Sequence, residues 1–100
     1  LAAVPSWPVA AQQAAAGGGL GEQVFTGIAE PACAVCHSLE AAKATGTLGP
    51  NLDEVKPTAD HVRDVVTNGM EAMPAFAGKL TEEQIRAVAD YVARVSGGSG

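Results

Sequence analysis

Aromatic side chains are in short supply: only 4 of the 100 residues are Phe, Trp or Tyr, and Trp7 stands apart from the other three. Alanine accounts for 20 of the 47 apolar residues, so the apolar content overstates what the side chains can bury. A domain this small already suffers from a high ratio of surface to volume. Its centre therefore calls for an additional apolar body. Basic residues are also few. Six Lys and Arg against eleven Asp and Glu leave a net charge of −5. No basic stripe exists to displace counterions from phosphates, which argues against nucleic acid as a partner class. No apolar run approaches the roughly 18–20 residues that a helical membrane span requires, so no span is expected within the chain. Two cysteines are too few for a secreted disulfide scaffold.

Residues 1–19 differ from the remainder. They hold seven alanines, the run Gly17-Gly18-Gly19 and two prolines around Trp7, and the first charged residue is Glu22. Proline biases the backbone toward extended conformations and glycine supplies a flexible joint, so this stretch reads as a tail or tether. Three roles are open to it: a disordered extension, a link to an upstream anchor or larger polypeptide, or a segment that folds Trp7 back onto the domain. It lacks the basic start and continuous apolar core of an intact signal peptide. Residues 20–100 read as one domain.

From Leu20 onward the spacing is helical. Leu20, Val24, Phe25 and Ile28 predict a short amphipathic helix before Pro31. Thr58 is an N-cap candidate for a second helix, with Val62, Val65 and Val66 inward, Asp60, Arg63 and Asp64 outward, and Gly69 as its stop. A third starts at Thr81 with Gln84 in the capping-box position, and Glu82 and Glu83 suit the positive end of its dipole. Its stripe is Ile85, Val88, Ala89, Val92 and Val95, with Arg94 in the last turn and Gly97 ending it. No strand alternation is visible. The domain is expected to be all-α.

The chemistry sits in Cys33-Ala34-Val35-Cys36-His37. Two thiols separated by two residues, on backbone turning into a helix, reach both vinyl groups of one haem and form thioethers; the next residue, histidine, then lies beneath the iron. A haem is also the flat apolar body that the composition calls for. Two other readings compete. A thioredoxin-like thiol pair needs a strand–helix alternation that is not seen. A tetrahedral zinc site would need Cys33, Cys36, the distant His61 and one further ligand. A six-coordinate haem needs a second axial ligand, for which Met70, Met73 and His61 are the candidates. Methionine opposite histidine raises the reduction potential. Pro74 has no N–H and restrains Met73 to extended backbone, which suits a rigid ligand loop. Met70 follows the helix stop and also reads as ordinary core, while His61, beside Asp60, reads as solvent-facing.

Four segments, in order, carry a family likeness: Cys33 to His37, then Leu48-Gly49-Pro50-Asn51-Leu52, then Gly69-Met70-Glu71-Ala72-Met73-Pro74-Ala75-Phe76, then Leu80 to Val92. Over residues 20–96 the chain resembles the class I c-type cytochromes, especially the short bacterial and photosynthetic members. The resemblance implies a cytochrome c fold, three to five helices wrapped around one covalently bound haem c. It implies iron ligation by His37 and Met73, with the Pro50 carbonyl accepting a hydrogen bond from the proximal imidazole. It also implies that Gly21 and Phe25 of the first helix meet Val88 and Tyr91 of the last.

The implied work is one-electron transfer rather than enzyme catalysis. Redox proteins are the implied partners: membrane oxidoreductase complexes, a reaction centre or an oxidase. Small side chains at Ala34, Val35, Pro74 and Ala75, together with Phe76, are the expected apolar docking rim. Two alternatives stand beside this reading. One is a cytochrome domain or subunit of a larger redox enzyme, which the leader of residues 1–19 keeps open. The other is a haem enzyme or gas sensor with a displaceable distal ligand, for which no distal acid–base pair is apparent. In this family haem attachment takes place on the outer side of the bacterial energy-transducing membrane, so the resemblance implies export to the periplasm or an equivalent compartment.

Overall fold

The computed structural model describes residues 19–98; the tail, with Trp7, otherwise lies outside the described residues. The first helix, α1, spans Gly19–Gln23 and runs on as a π-helical turn over Val24–Ile28. It therefore starts one residue inside the stretch read as tail. The π turn closes through the Ala29 N–H to the Val24 carbonyl at 3.1 Å, one residue further along than an α-helical bond. That extra residue alters which side chains point inward. The 3.6-residue spacing placed Ile28 on the inner face, but Ile28 is 41% exposed and Ala29 is completely buried in its place.

Helix α2, Cys33–Cys36, follows, and then a small antiparallel pair, β1 (Ser38–Leu39) with β2 (Ala44–Thr45). This pair is a minor addition to the expected all-α fold. Strands of two residues are too short to display any alternation. Asn51 caps α3 (Leu52–Val55) by accepting the Asp53 N–H, and Thr58 caps α4 (Ala59–Asn68) by accepting the His61 N–H at 3.1 Å. The last helix, α5, covers Glu82–Ser96. Its capping box is complete: the Gln84 N–H donates to the Thr81 hydroxyl at 3.0 Å, and the Thr81 N–H donates to the Gln84 side chain at 2.9 Å. Gly97, at φ +91°, ends α5 in the left-handed region where a Cβ would be penalised. Among the described residues the fold is all-α with five α-helices, and the strands are a minor addition.

The core forms where α5 crosses α1 and lies along α4. A Cβ at Gly21 would strike the Ala87 carbonyl oxygen and the Tyr91 Cβ, so the absence of a side chain sets how closely α1 approaches. Phe25 and Tyr91 fill the crossing edge to face, with centroids 6.1 Å apart. The predicted stripe of α5 is buried except for half-buried Val95, and Tyr91, Ala93 and Ser96 are buried as well. Two neighbouring helices cover α5 on two faces, which a single-stripe reading does not anticipate. Ala59, Ala89 and Ala93 form a separate seam of small side chains between α4 and α5. On α4, Val66 is buried but Val62 and Val65 are only half-buried, because both face a cavity.

Candidate haem site

This cavity holds about 510 Å³, within the range of small-molecule and cofactor sites. Cys33, Cys36, His37, Pro50 and Met73 all line it, and so do Met70 and His61. Its apolar depth comes from Phe25, Val66, Phe76, Val88 and Val92.

The attachment motif occupies the single turn of α2 and the residue after it. His37 Nδ1 lies 2.8 Å from the Pro50 carbonyl oxygen. A carbonyl only accepts, so Nδ1 carries the proton and Nε2 keeps its lone pair for a metal. Gly49 permits this arrangement. A Cβ there would lie 2.7 Å from Cε1 and 3.0 Å from Nδ1 of the imidazole. Gly46 serves the motif itself in the same way, since a Cβ there would come within 2.5 Å of the Val35 carbonyl oxygen and 2.6 Å of the Cys36 carbonyl carbon. The Gly49 N–H also donates to the Cys36 carbonyl at 2.7 Å, pinning the loop to the motif. Sequence reasoning assigns neither glycine a role. Gly49 directly before Pro50, with Gly46 three residues earlier, was the available signal.

Both cysteines are half-buried and form no disulfide with each other. Burial pushes the Cys33 thiol up to about 11, with its backbone hydrogen bond opposing and Cys36 adding to the rise. A position that disfavours the thiolate suits a thioether, which has no charged form. It does not suit a reactive redox thiol. Among the described residues no three His, Cys, Asp or Glu side chains gather as metal ligands, so the zinc reading lacks its donor set.

The three distal candidates differ in their settings. Met70-Glu71-Ala72-Met73 is a two-residue hairpin in which the Met70 and Met73 N–H groups donate to each other's carbonyls at 3.0 and 2.8 Å. Glu71 takes a left-handed φ of +54° at the turn. Gly69 closes the corner, since a Cβ there would lie 2.9 Å from the Met73 carbonyl oxygen. Met73 is half-buried against the core, Met70 is 54% exposed, and His61 is exposed on α4. The expected docking rim needs one correction. Phe76 is 3% exposed, because its N–H bonds to the Val66 carbonyl at 2.8 Å and its ring forms the cavity floor. Leu48, 84% exposed, and Val55, 52% exposed, border the cavity instead, beside Val35 at 60% near the motif. A lone leucine in a loop gives no sequence signal of its exposure.

Two adjacent cysteines, an imidazole with an available Nε2, a thioether and apolar walls of this volume fit a haem. Comparison with known proteins agrees. The family model described as "Cytochrome C oxidase, cbb3-type, subunit III" matches residues 20–92. Cytochrome c6 of Diacronema lutheri is 38% identical over 82 residues, covering 77% of this chain and 94% of that protein. The chain belongs to the class I c-type cytochromes. Cytochrome c6 of Microcystis aeruginosa is 46% identical over 65 residues, covering 60% of this cytochrome and 79% of its own length. The crystal structure of the c-type cytochrome SorU from Sinorhizobium meliloti is similar with a TM-score of 0.75 and 51% identity, over 80% of this chain and 91% of that one. As a member of this family the cytochrome binds haem c covalently and transfers electrons with redox protein partners; it is a carrier, not an enzyme.

Proposed function

We propose that this cytochrome carries single electrons between protein partners through one haem, attached at Cys33 and Cys36 and ligated by His37 and Met73. The observation that supports this best is the cavity that the proton-fixed His37 imidazole and the half-buried Met73 share. Haem bound there supplies a centre that gains and loses one electron. The chain supplies its tuning. The Pro50 carbonyl orients His37 and strengthens it as a donor. A methionine ligand and a dry apolar wall both favour the reduced state and raise the potential. Val35, Leu48 and Val55 offer a partner an apolar approach to the site.

Membrane oxidoreductase complexes, a reaction centre or an oxidase are the partner classes we assign, on the outer side of an energy-transducing membrane such as the periplasmic face. Among the described residues no helix is long and apolar enough to cross a membrane. One observation favours a second reading, a cytochrome subunit of a larger redox enzyme: the matching family model describes an oxidase subunit. Isolation of the native protein as a free cytochrome or in a stable complex separates the two.

The ligand assignment is tested by NMR on the reduced holoprotein. The ring-current-shifted methyl resonance of the ligating methionine is expected to connect through bonds to residue 73. Connection to residue 70, or a bis-histidine spectrum, overturns the Met73 assignment.

A further inference from the structure

Met70 is 54% exposed, yet it lines the same cavity as Met73. The hairpin determines how the two relate. They are directly opposed and exchange both backbone hydrogen bonds, at 3.0 and 2.8 Å. Directly opposed residues of an antiparallel pair carry their side chains on one face. The chain therefore presents two thioethers, not one, to the same side of the site.

We propose that Met70 is a reserve axial ligand, whose thioether takes the iron position when the Met73 sulfur leaves it. The proposal rests on the His37/Met73 ligation above. One iron–sulfur bond breaks and another forms, with no net movement of protons or electrons. The hairpin is built for a local exchange. Glu71 and Ala72 at its tip are exposed, and two backbone bonds close it. Both flanks are tied to α4, through the Gly69 N–H to Val65 at 2.7 Å and the Phe76 N–H to Val66 at 2.8 Å. Methionine has three rotatable bonds and adapts readily to irregular space. His61, the other spare ligand type at the cavity, sits on the helix itself and would replace sulfur with nitrogen.

The test compares oxidised holoproteins of the wild type, Met70→Leu, Met73→Leu and the double variant. Leucine keeps the side-chain volume close to that of methionine. Haem absorbance and helical circular dichroism report loading and fold. Met73→Leu is expected to keep the far-red sulfur-to-iron charge-transfer band and the elevated potential, and the double variant to lose both. A Met73→Leu protein indistinguishable from the double variant overturns the proposal, whether His61 or water fills the position. Loss of the band in Met70→Leu alone makes Met70 the resident ligand and overturns the Met73 assignment and the reserve role together. Flash photolysis of CO from the reduced proteins needs only the wild type and Met70→Leu. Ligand return is expected in two phases in the wild type and one in Met70→Leu; identical traces overturn the proposal.

Discussion

His37, the proposed iron ligand, is set in place by residues that would not touch the metal. Its tautomer follows from the Pro50 carbonyl, and its position follows from the bare backbone of Gly49. Gly49→Ala places a methyl 2.7 Å from the ring's Cε1, so either the imidazole or the loop must shift. The expected result is a loss of about 1–3 kcal/mol of stability, typical of overpacking, with a changed reduction potential. Thermal unfolding and redox titration measure the two effects. Tyr91, the single tyrosine, poses a different problem. Its buried hydroxyl has no hydrogen-bond partner among the described residues, and burial, then Glu22, raise the phenol above 10.0 against the opposing Arg94. A folded-state value raised above the unfolded one means stability that is present below pH 10.0 and lost as pH climbs through the folded value. Tyr91→Phe removes an unpaired polar atom, so it is expected to change stability by about 0 to +1 kcal/mol at neutral pH and to flatten the alkaline loss. Melting curves from neutral to strongly alkaline pH check both, and a marked loss at neutral pH contradicts the expectation.

The crossing of α1 and α5 sets two effects against each other at the level of elements. Helix propensity favours Gly21→Ala by about 1 kcal/mol. The crossing opposes it, because the added Cβ meets the Ala87 carbonyl, which is backbone and cannot rotate away. Overpacking of this kind costs about 1–3 kcal/mol or more, so destabilisation is expected to win. A lower urea midpoint with unchanged helical content is the signature. A midpoint equal to or above the wild type would show that α1 is not seated on α5 as described. The π turn of α1 belongs to this scale too. It is what trades Ile28 for Ala29 at the interface.

Charge acts at the scale of the whole molecule. The chain carries −5, and two haem propionates, ionised as ordinary carboxylates, add about −2 more. Electron exchange with a cationic redox complex is expected to slow as salt rises, because screening removes the attraction that steers encounter. With an anionic complex the dependence reverses sign. Stopped-flow rates over a range of ionic strength test this, and equal slopes for both reagents would contradict it.

What the sequence determined by itself was whatever acts over a few consecutive residues. Cys33, Cys36 and His37 lie within five consecutive residues, so their shared chemistry needs no long-range fold to bring them together. The caps Thr58 and Thr81 and the stops Gly69 and Gly97 are legible because they satisfy backbone groups within one turn. The family likeness added Pro50, Met73 and the Gly21/Phe25 crossing, none of which local spacing gives. Tertiary structure alone decided which side chains are covered and by what. Phe76, expected at the exposed rim, lies under the cavity, and Leu48 stands in solvent with no local signal that it would. Ala93 and Ser96 are buried because α5 meets two helices, and Met70 shares a face with Met73 because a two-residue hairpin opposes them. Burial is a property of what distant segments bring to a residue, and no window along the chain contains that information.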